Sequence, residues 1–498
     1  MIYNIINLEE RFKRDIERLF DLFKSDGDQL VYDHSQLETD DMITIEFHYH
    51  INYSLIFVQA KVLNRMDTIT FEHDRTISLE TDEQIRKVVK QGISYVWIQI
   101  LEHLTGKKHD WGILTGIRPT KLYHRLSRKL PYDEVNRTLA RDYLLKPNKI
   151  ALLREIVQRQ LQVIPDLYQI DEEVSLYIGI PFCPTKCAYC TFPAYAITGR
   201  NGTVEDFLKG LEYEIEQIGK WLKNSGRKVT TIYFGGGTPT SIEADQLDHL
   251  FQQLVRWIDL QSVREITVEA GRPDTITNDK IDVLNRWNVD RMSINPQTFT
   301  QETLNVIGRH HTVEETIEKF HLARQMNVNN INMDLIIGLP GETLKELQYS
   351  LEQIHQLQPE SLTIHTMAFK RASYLTKNKE EFEITDPEEI QRMMDYATTW
   401  TKKNDYQPYY LYRQKNMLGN LENIGYSREG KESLYNILIM EEKQTIIGLG
   451  SGAVSKLIAP KSDTVIRFPN PKEPRAYIET VKESTMKKIK QLNQIFHS

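Results

Sequence analysis

The segment Ser175-Leu-Tyr-Ile-Gly-Ile-Pro-Phe-Cys183-Pro-Thr-Lys-Cys187-Ala-Tyr-Cys190 decides the reading of this chain. Its first six residues are rich in Leu, Tyr and Ile, as a buried strand is. They run into a Pro-bearing loop that carries all three cysteines of the 498 residues. Thiolates are soft ligands. Three on one tight loop can hold three corners of an iron–sulfur cube and leave the fourth iron without a cysteine. An open metal position is where chemistry happens rather than support. Plainer readings fit less well. Free thiols often serve as small core residues, but a clustered loop with prolines does not pack a core. A structural zinc wants a fourth ligand close by, and His249 is distant in sequence. A disulfide framework does not suit an odd count in so long a chain.

Outward from this loop, short β-rich runs alternate with helical periodicity. Strands are predicted over 175–180, 229–234, 265–269, 291–295, 332–337 and 361–365. Helices are predicted over 204–223, 244–258, 313–326 and 344–357. Six β–α units imply an α/β fold, a parallel sheet curved into a partial (β/α)6 barrel whose site lies at the carboxyl ends of the strands. The cysteine loop follows the first strand and Gly235-Gly236-Gly237-Thr238-Pro239 follows the second. Glu269 ends the third and Gln297 follows the fourth. Asp334 lies in the fifth, ahead of Gly338-Leu-Pro-Gly341. The glycine turn lets backbone come close to a ligand, with amides and carbonyls for a charged amino-acid end. Glu269 suits an ammonium or a ribose hydroxyl, Gln297 and Asp334 suit a ribose, and Arg309 can clamp a carboxylate.

Residues 1–168 read as a separate α+β domain. It has a helix over 8–24, strand-like alternation over 42–64 and 68–79, and a long amphipathic helix over 81–104 capped at Thr81 or Asp82. A further helix is opened by Pro147 and stopped by Pro165. Residues 169–381 form the barrel and 382–498 a C-terminal cap. The cap has a helix over 388–403, strand-like runs over 409–412, 434–440 and 445–449, and a closing helix over 476–494. A hydrophobic content of 40% and a charged content of 26% are those of an ordinary globular protein. The net charge of −7 gives no global pull toward nucleic acid or anionic membrane. No apolar run approaches the ~18 residues of a membrane span. The N-terminus carries charge too early for a secretory signal, so a cytoplasmic protein is expected.

The cysteine spacing with Gly-Gly-Gly-Thr-Pro resembles the radical S-adenosylmethionine (SAM) enzymes. Four stretches in order resemble the oxygen-independent coproporphyrinogen III oxidase group over about residues 170 to 455. They are 176–183 at the cysteine loop, 233–240 at the glycine turn, Ser293-Ile-Asn-Pro-Gln-Thr-Phe299, and Met333-Asp-Leu-Ile-Ile-Gly-Leu-Pro-Gly341. The N-terminal extension and Arg413-Gln-Lys-Asn-Met417 resemble the long Firmicutes branch of that group. The resemblance implies a 4Fe-4S cluster on Cys183, Cys187 and Cys190, with the amino and carboxylate groups of SAM on the open iron. Tyr177 would lie near the methionine end as a catalytic and cofactor-binding residue. Gly236, Gly237, Thr238, Glu269 and Arg309 would hold the cofactor, and Gln297 and Asp334 would face its ribose. An electron donor such as flavodoxin or ferredoxin is implied as partner. Cleavage of the sulfonium would yield a 5′-deoxyadenosyl radical that takes hydrogen from a porphyrinogen propionate, and loss of carbon dioxide and an electron would leave a vinyl.

A tetracarboxylate substrate needs cations, and Lys370, Arg371, Arg413 and Lys415 are the candidates. The chain departs from the oxidases in two places: Phe192 stands where they carry a fourth cysteine, and Gly179 where they place a histidine. Rival readings within the group are a heme chaperone and radical methylation or ring opening of heme. The chaperone's His-Asn-x-x-Tyr-Trp motif is absent from 413–420. RNA modification through Arg118, Lys121, Arg125, Arg128 and Lys129 is the reading from another class. A solvated helix face accounts for those cations more simply, which makes nucleic acid an unexpected partner.

Overall fold

Alternating apolar residues give the N-terminal strands over 42–52 and 55–63 one buried face each. The computed structural model of the chain describes residues 1–33, 41–52, 55–63, 67–76, 81–116, 118–197, 202–370, 372–414, 417–462 and 464–496. Its contacts divide it into two units, Met1–Arg154 and Glu155–Ser498. The first contains β1 (Ile2–Ile6), α1 (Glu10–Phe23), β2 (Gln29–Tyr32), β3 (Met42–Asn52), β4 (Leu55–Leu63), β5 (Thr68–Thr76), α2 (Asp82–Thr105), α3 (Pro119–Ser127) and α4 (Tyr132–Tyr143). The division falls within α5 (Pro147–Val163). The sheet order is β2-β1-β3-β4-β5, with β1 parallel to both neighbours and the rest antiparallel. The single alternating run expected over 42–64 is thus two antiparallel strands. The helix α2 starts as its sequence predicts. The Thr81 hydroxyl accepts from the Gln84 amide at 3.3 Å, and the Gln84 side chain accepts from the Thr81 amide at 3.2 Å. A Cβ on Gly92 would stand 2.7 Å from Val58 Cγ2, so this glycine lets α2 lie close on β4.

The second unit is built on β6 (Val174–Ile180), α6 (Val204–Ser225), β7 (Val229–Gly236), α7 (Ala244–Trp257), β8 (Glu265–Glu269), α8 (Asn278–Arg286), β9 (Arg291–Ser293), α9 (Gln301–Val306), α10 (Val313–Gln325), β10 (Ile331–Ile337), α11 (Leu344–Leu357) and β11 (Ser361–Thr366). There follow α12 (Tyr374–Lys377), α13 (Pro387–Lys403), β12 (Gln407–Tyr412), β13 (Asn423–Ser427), α14 (Leu434–Glu441), β14 (Thr445–Gly450), β15 (Val454–Leu457), β16 (Ile466–Pro469) and α15 (Pro474–Phe496). One open sheet holds all these strands in the order β12-β13-β11-β10-β9-β8-β7-β6-β14-β15-β16. The six strands β6 to β11 are parallel and sequential, as the β–α rhythm predicts. Strand β14 pairs parallel with β6 from Thr445↔Val174 to Gly450↔Gly179, and β13 pairs antiparallel with β11. Segments expected within the C-terminal cap therefore enter the same sheet. No helix among the described residues is long and apolar enough to cross a membrane.

The run 434–440, expected as a strand, is the helix α14. A short continuous apolar run reads alike for a buried strand and a buried helix. Here the helix is fixed by its start. Glu265, at the beginning of β8, accepts from Ser433 Oγ at 3.0 Å, from the Leu434 amide at 2.8 Å and from the Tyr435 amide at 3.1 Å. A carboxylate so placed satisfies amide donors that a helix N-terminus leaves without partners.

On the other side of β14, Glu214 of α6 is fully buried. It accepts from Lys488 Nζ at 2.6 Å, Tyr477 Oη at 2.7 Å, the Gly450 amide at 2.8 Å and Asn470 Nδ2 at 3.1 Å. Lys488 also donates to the Gly448 carbonyl. This network joins α6, the end of β14 and α15 around one ion pair.

Candidate active site

Period-two alternation gives the parallel strands an apolar face under the helices and a polar face within the curve. The polar face carries Ser175 and Tyr177, Thr231 and Tyr233, Glu265, Thr267 and Glu269, Arg291 and Ser293, Asn332 and Asp334, and Thr363 and His365. Hydrogen bonds tie these residues across strands: Thr231 to Ser175 at 2.8 Å, Tyr233 to Glu269 at 2.5 Å and Arg291 to Asn332 at 2.8 Å. In each of β6, β8, β10 and β11 a single residue is less than fully buried. These are Tyr177, Glu269, Asp334 and His365. Gly236 plays that part in β7 and Tyr412 in the inner length of β12. Together they outline a polar cleft, and the cysteine loop leaves β6 at its rim.

Backbone bonds hold that loop. Cys183 N donates to Tyr195 O at 3.1 Å and Tyr195 N to Pro181 O at 2.9 Å. Ala188 N donates to Ile307 O at 2.9 Å, and Cys190 N to Cys187 O at 3.1 Å. Cys187 is buried, and Cys183 and Cys190 are half-buried. The sulfurs rest on separate partners: Cys183 Sγ lies 3.3 Å from Thr238 Oγ1, and Arg272 Nη1 lies 4.0 Å from Cys187 Sγ. They are not drawn into a preformed metal cage among the described residues. Burial pushes the Cys183 thiol up to about 11, so loading a metal there displaces a proton. The donor set fits a cluster: three soft ligands on one loop, with the Arg272 guanidinium close by to balance thiolate charge.

The glycine turn has a structural duty that the sequence reading did not anticipate. A Cβ on Gly237 would stand 2.5 Å from Phe182 O, and one on Gly236, at φ +110°, 2.9 Å from Ile180 O. The Gly237 and Thr238 amides each donate to the start of the cysteine loop at 2.7 Å, to Ile180 O and Phe182 O. These glycines therefore seat the turn against the cysteine loop itself.

Glu269 meets Tyr233 at the rim, and the rings of Tyr177, Tyr233 and Tyr435 stack beneath it, Tyr233 and Tyr435 with centroids 4.3 Å apart. Burial pushes the Glu269 carboxyl up to about 7, against the hydrogen bond from Tyr233 that favours its ionised form. Asp334 lies on β10, two strands from β8. Burial opposes its ionisation, but the bonds from His365 and Asn332 outweigh it and hold the carboxyl below the usual range. Gln297 adopts φ +69° and bridges backbone to β10, its amide donating to Asp334 O at 2.9 Å and its carbonyl accepting from Ile336 N at 2.9 Å.

Arg309 is buried, and its Nη2 donates to Gly271 O at 2.7 Å and Asn295 O at 2.8 Å. Its Nε has no partner among the described residues, and neither does Asn295 Oδ1. Two buried polar atoms without partners beside the loop suit a polar ligand. Lys370 is half-buried, with Cys190 as its charged neighbour. Arg413 is 5% exposed, and its guanidinium donates to Asn420 O at 3.2 Å, Asn420 Oδ1 and Leu421 O at 3.4 Å. It braces the 418–422 turn rather than facing the cleft. Arg371 and Lys415 lie outside the described residues. The sequence reading missed Arg272, three residues beyond Glu269 and hence at a strand end, and it missed His365 and Tyr412. The inward parity of His365 on β11 was a usable signal; nothing in the sequence marked Tyr412.

Residues 177–354 match the radical SAM superfamily. The chain is 58% identical over 418 residues to the oxygen-independent coproporphyrinogen-III oxidase-like protein HemZ of Bacillus subtilis, covering 84% of this chain and 83% of that one. It is 31% identical to the heme chaperone HemW of the same organism, over 56% of this chain and 70% of that one. Among solved structures, the coproporphyrinogen III oxidase HemN of Escherichia coli shares the fold, with a TM-score of 0.51 and 21% identity, over 66% of this chain and 73% of that one. The chain belongs to the oxygen-independent coproporphyrinogen-III oxidase-like family of radical SAM proteins. A 4Fe-4S cluster and SAM are the cofactors of that superfamily.

Proposed function

We propose that the chain oxidatively decarboxylates the propionates of coproporphyrinogen III to vinyls, giving protoporphyrinogen IX without oxygen, in a cytoplasmic setting that keeps its thiols reduced. The observation that carries this reading is the three-cysteine loop at the rim of a polar cleft, in a chain 58% identical to an oxidase-like relative. Cys183, Cys187 and Cys190 would hold the cluster, and Glu269, Gln297, Arg309, Asp334 and the 236–238 turn would hold SAM. When bound, the pair supplies a carbon radical able to take hydrogen. The protein's residues would orient the ligand and the reacting carbon along the mostly buried polar face. Lys370, near Cys190, would meet a substrate acid. A protein electron donor of the flavodoxin or ferredoxin kind would supply the electron.

The direct test is anaerobic. Reconstituted protein with reductant, SAM and coproporphyrinogen III should give products lighter by one and two carboxyl groups in mass spectra. Formation of 5′-deoxyadenosine with no vinyl product would sink the substrate assignment. The chaperone reading draws support from the 31% identity to HemW and predicts heme retained one-to-one with no turnover.

Glu269 gives a second test. A carboxyl that keeps its proton up to about pH 7 accepts an ammonium only once ionised. Affinity for S-adenosylhomocysteine, read by calorimetry, should rise about tenfold as pH climbs through that value. Glu269→Gln should bind weakly at every pH, without the slope. The same raised value makes the unfolded chain ionise first. Glu269 therefore lowers stability as pH rises from the ordinary carboxyl range to about 7, and adds no further slope above it.

A further inference from the structure

A substrate rich in carboxylates needs hydrogen-bond donors on the accessible part of the inner face. Arg413 is not such a donor, since its guanidinium is committed to Asn420 and Leu421. Of the half-buried inner-face residues, Glu269 and Asp334 are acids. His365 is different: its side chain is 24% exposed and it stands between two partners. Its Nε2 lies 3.5 Å from Asp334 Oδ2, and its Nδ1 lies 3.2 Å from Tyr412 Oη.

Behind this pair runs a line of support. Asn332 Nδ2 donates to Asp334 Oδ1 at 2.8 Å, and the buried Arg291 donates to Asn332 Oδ1 at 2.8 Å. The carboxylate is thereby oriented and in turn orients the imidazole, in the sequence carboxylate, imidazole, hydroxyl. With Nε2–H on Asp334, Nδ1 accepts the Tyr412 hydroxyl hydrogen. When the ring takes a second proton, Nδ1 becomes a donor and the Tyr412 hydroxyl must turn its hydrogen elsewhere, toward an acceptor in the cleft. The charged group beside the ring is Asp334 on β10, and the charges of Asp334 and of Glu269 on β8 both act on the Tyr412 phenol. The phenols are Tyr410 and Tyr412 on β12. A bound carboxylate would accept the hydrogen of the Tyr412 hydroxyl beside the ring.

We propose that His365 and Tyr412 form the carboxylate-binding end of the cleft and take a propionate of the tetrapyrrole in place of Arg413; this rests on the substrate class proposed above. The test uses the reconstituted full chain and coproporphyrin III, the stable fluorescent counterpart of the substrate. Quenching titrations should show His365→Ala and Tyr412→Phe binding the acid on the order of tenfold more weakly than the unaltered chain, with His365→Gln between. The tetramethyl ester should bind all four proteins alike. Tyr412→Phe removes one oxygen and keeps the shape, so it carries the test if His365→Ala fails to fold. Binding of the acid by both His365→Ala and Tyr412→Phe as tightly as by the unaltered chain would overturn this inference and leave the proposed reaction standing. An unaltered chain that binds S-adenosylhomocysteine but no coproporphyrin would overturn both.

Discussion

Cys187→Ser is expected to abolish the cluster and, with it, all formation of 5′-deoxyadenosine. Cys187 is the most buried of the three cysteines and has the Arg272 guanidinium beside it. Serine keeps nearly the same volume, so the loop's backbone bonds and the fold should persist. Its hydroxyl is a hard, weakly acidic ligand that does not replace a thiolate on iron. Anaerobic reconstitution followed by iron and sulfide analysis checks this. The variant should hold less than a tenth of the parent's cluster iron, with an unchanged circular-dichroism spectrum. A variant with the parent's full cluster content would show that the loop is not the ligand set.

The second large effect lies away from the cleft. Lys488→Met should lower stability by about 3–5 kcal/mol, because it leaves the fully buried Glu214 charged and unpaired. Chemical denaturation of the parent and the variant measures it. The double variant Lys488→Met with Glu214→Gln should recover much of the loss, since the uncompensated charge goes with it. A single variant as stable as the parent would remove the ion pair from any account of how α15 is held. The single variant should also take away the donor to the Gly448 carbonyl, two residues before Gly450 in β14. Gly450 packs on Gly179, where a Cβ would stand 2.2 Å from the Gly179 carbonyl, so the disturbance reaches the strand that feeds the cysteine loop.

Much of the barrel was legible because its signals are local. All six predicted strands are present, and their ends agree with the structure to within two residues, since each is a short apolar run bounded by turn residues. The cysteine loop, Glu269 at the end of its strand and Asp334 within its own follow from the same punctuation. What was not legible is contact between distant segments. That 434–440 is a helix depends on Glu265, far away in sequence, receiving its first amides. That Arg413 turns inward depends on the 418–422 turn offering carbonyls. The purpose of Gly237 also depends on a partner elsewhere in the chain, the Phe182 carbonyl, and the triple glycine alone does not name it. Gly179, a departure when set against the oxidases, has a local reason. A Cβ there would stand 3.1 Å from Ser451 O and 3.3 Å from Ala453 Cβ, so the turn after β14 leaves little room for a side chain.

The pairing of β14 with β6 has a consequence for biogenesis. Val174 must wait for Thr445 to be synthesised before its strand gains a second neighbour. Until then β6 stays a border strand, with peptide groups open to stray association. Such remote pairing is slow to form because a long intervening loop must first be closed. Assembly of the inorganic centre is thereby tied to completion of translation, and a nascent chain released early would present its thiols on an unfinished scaffold.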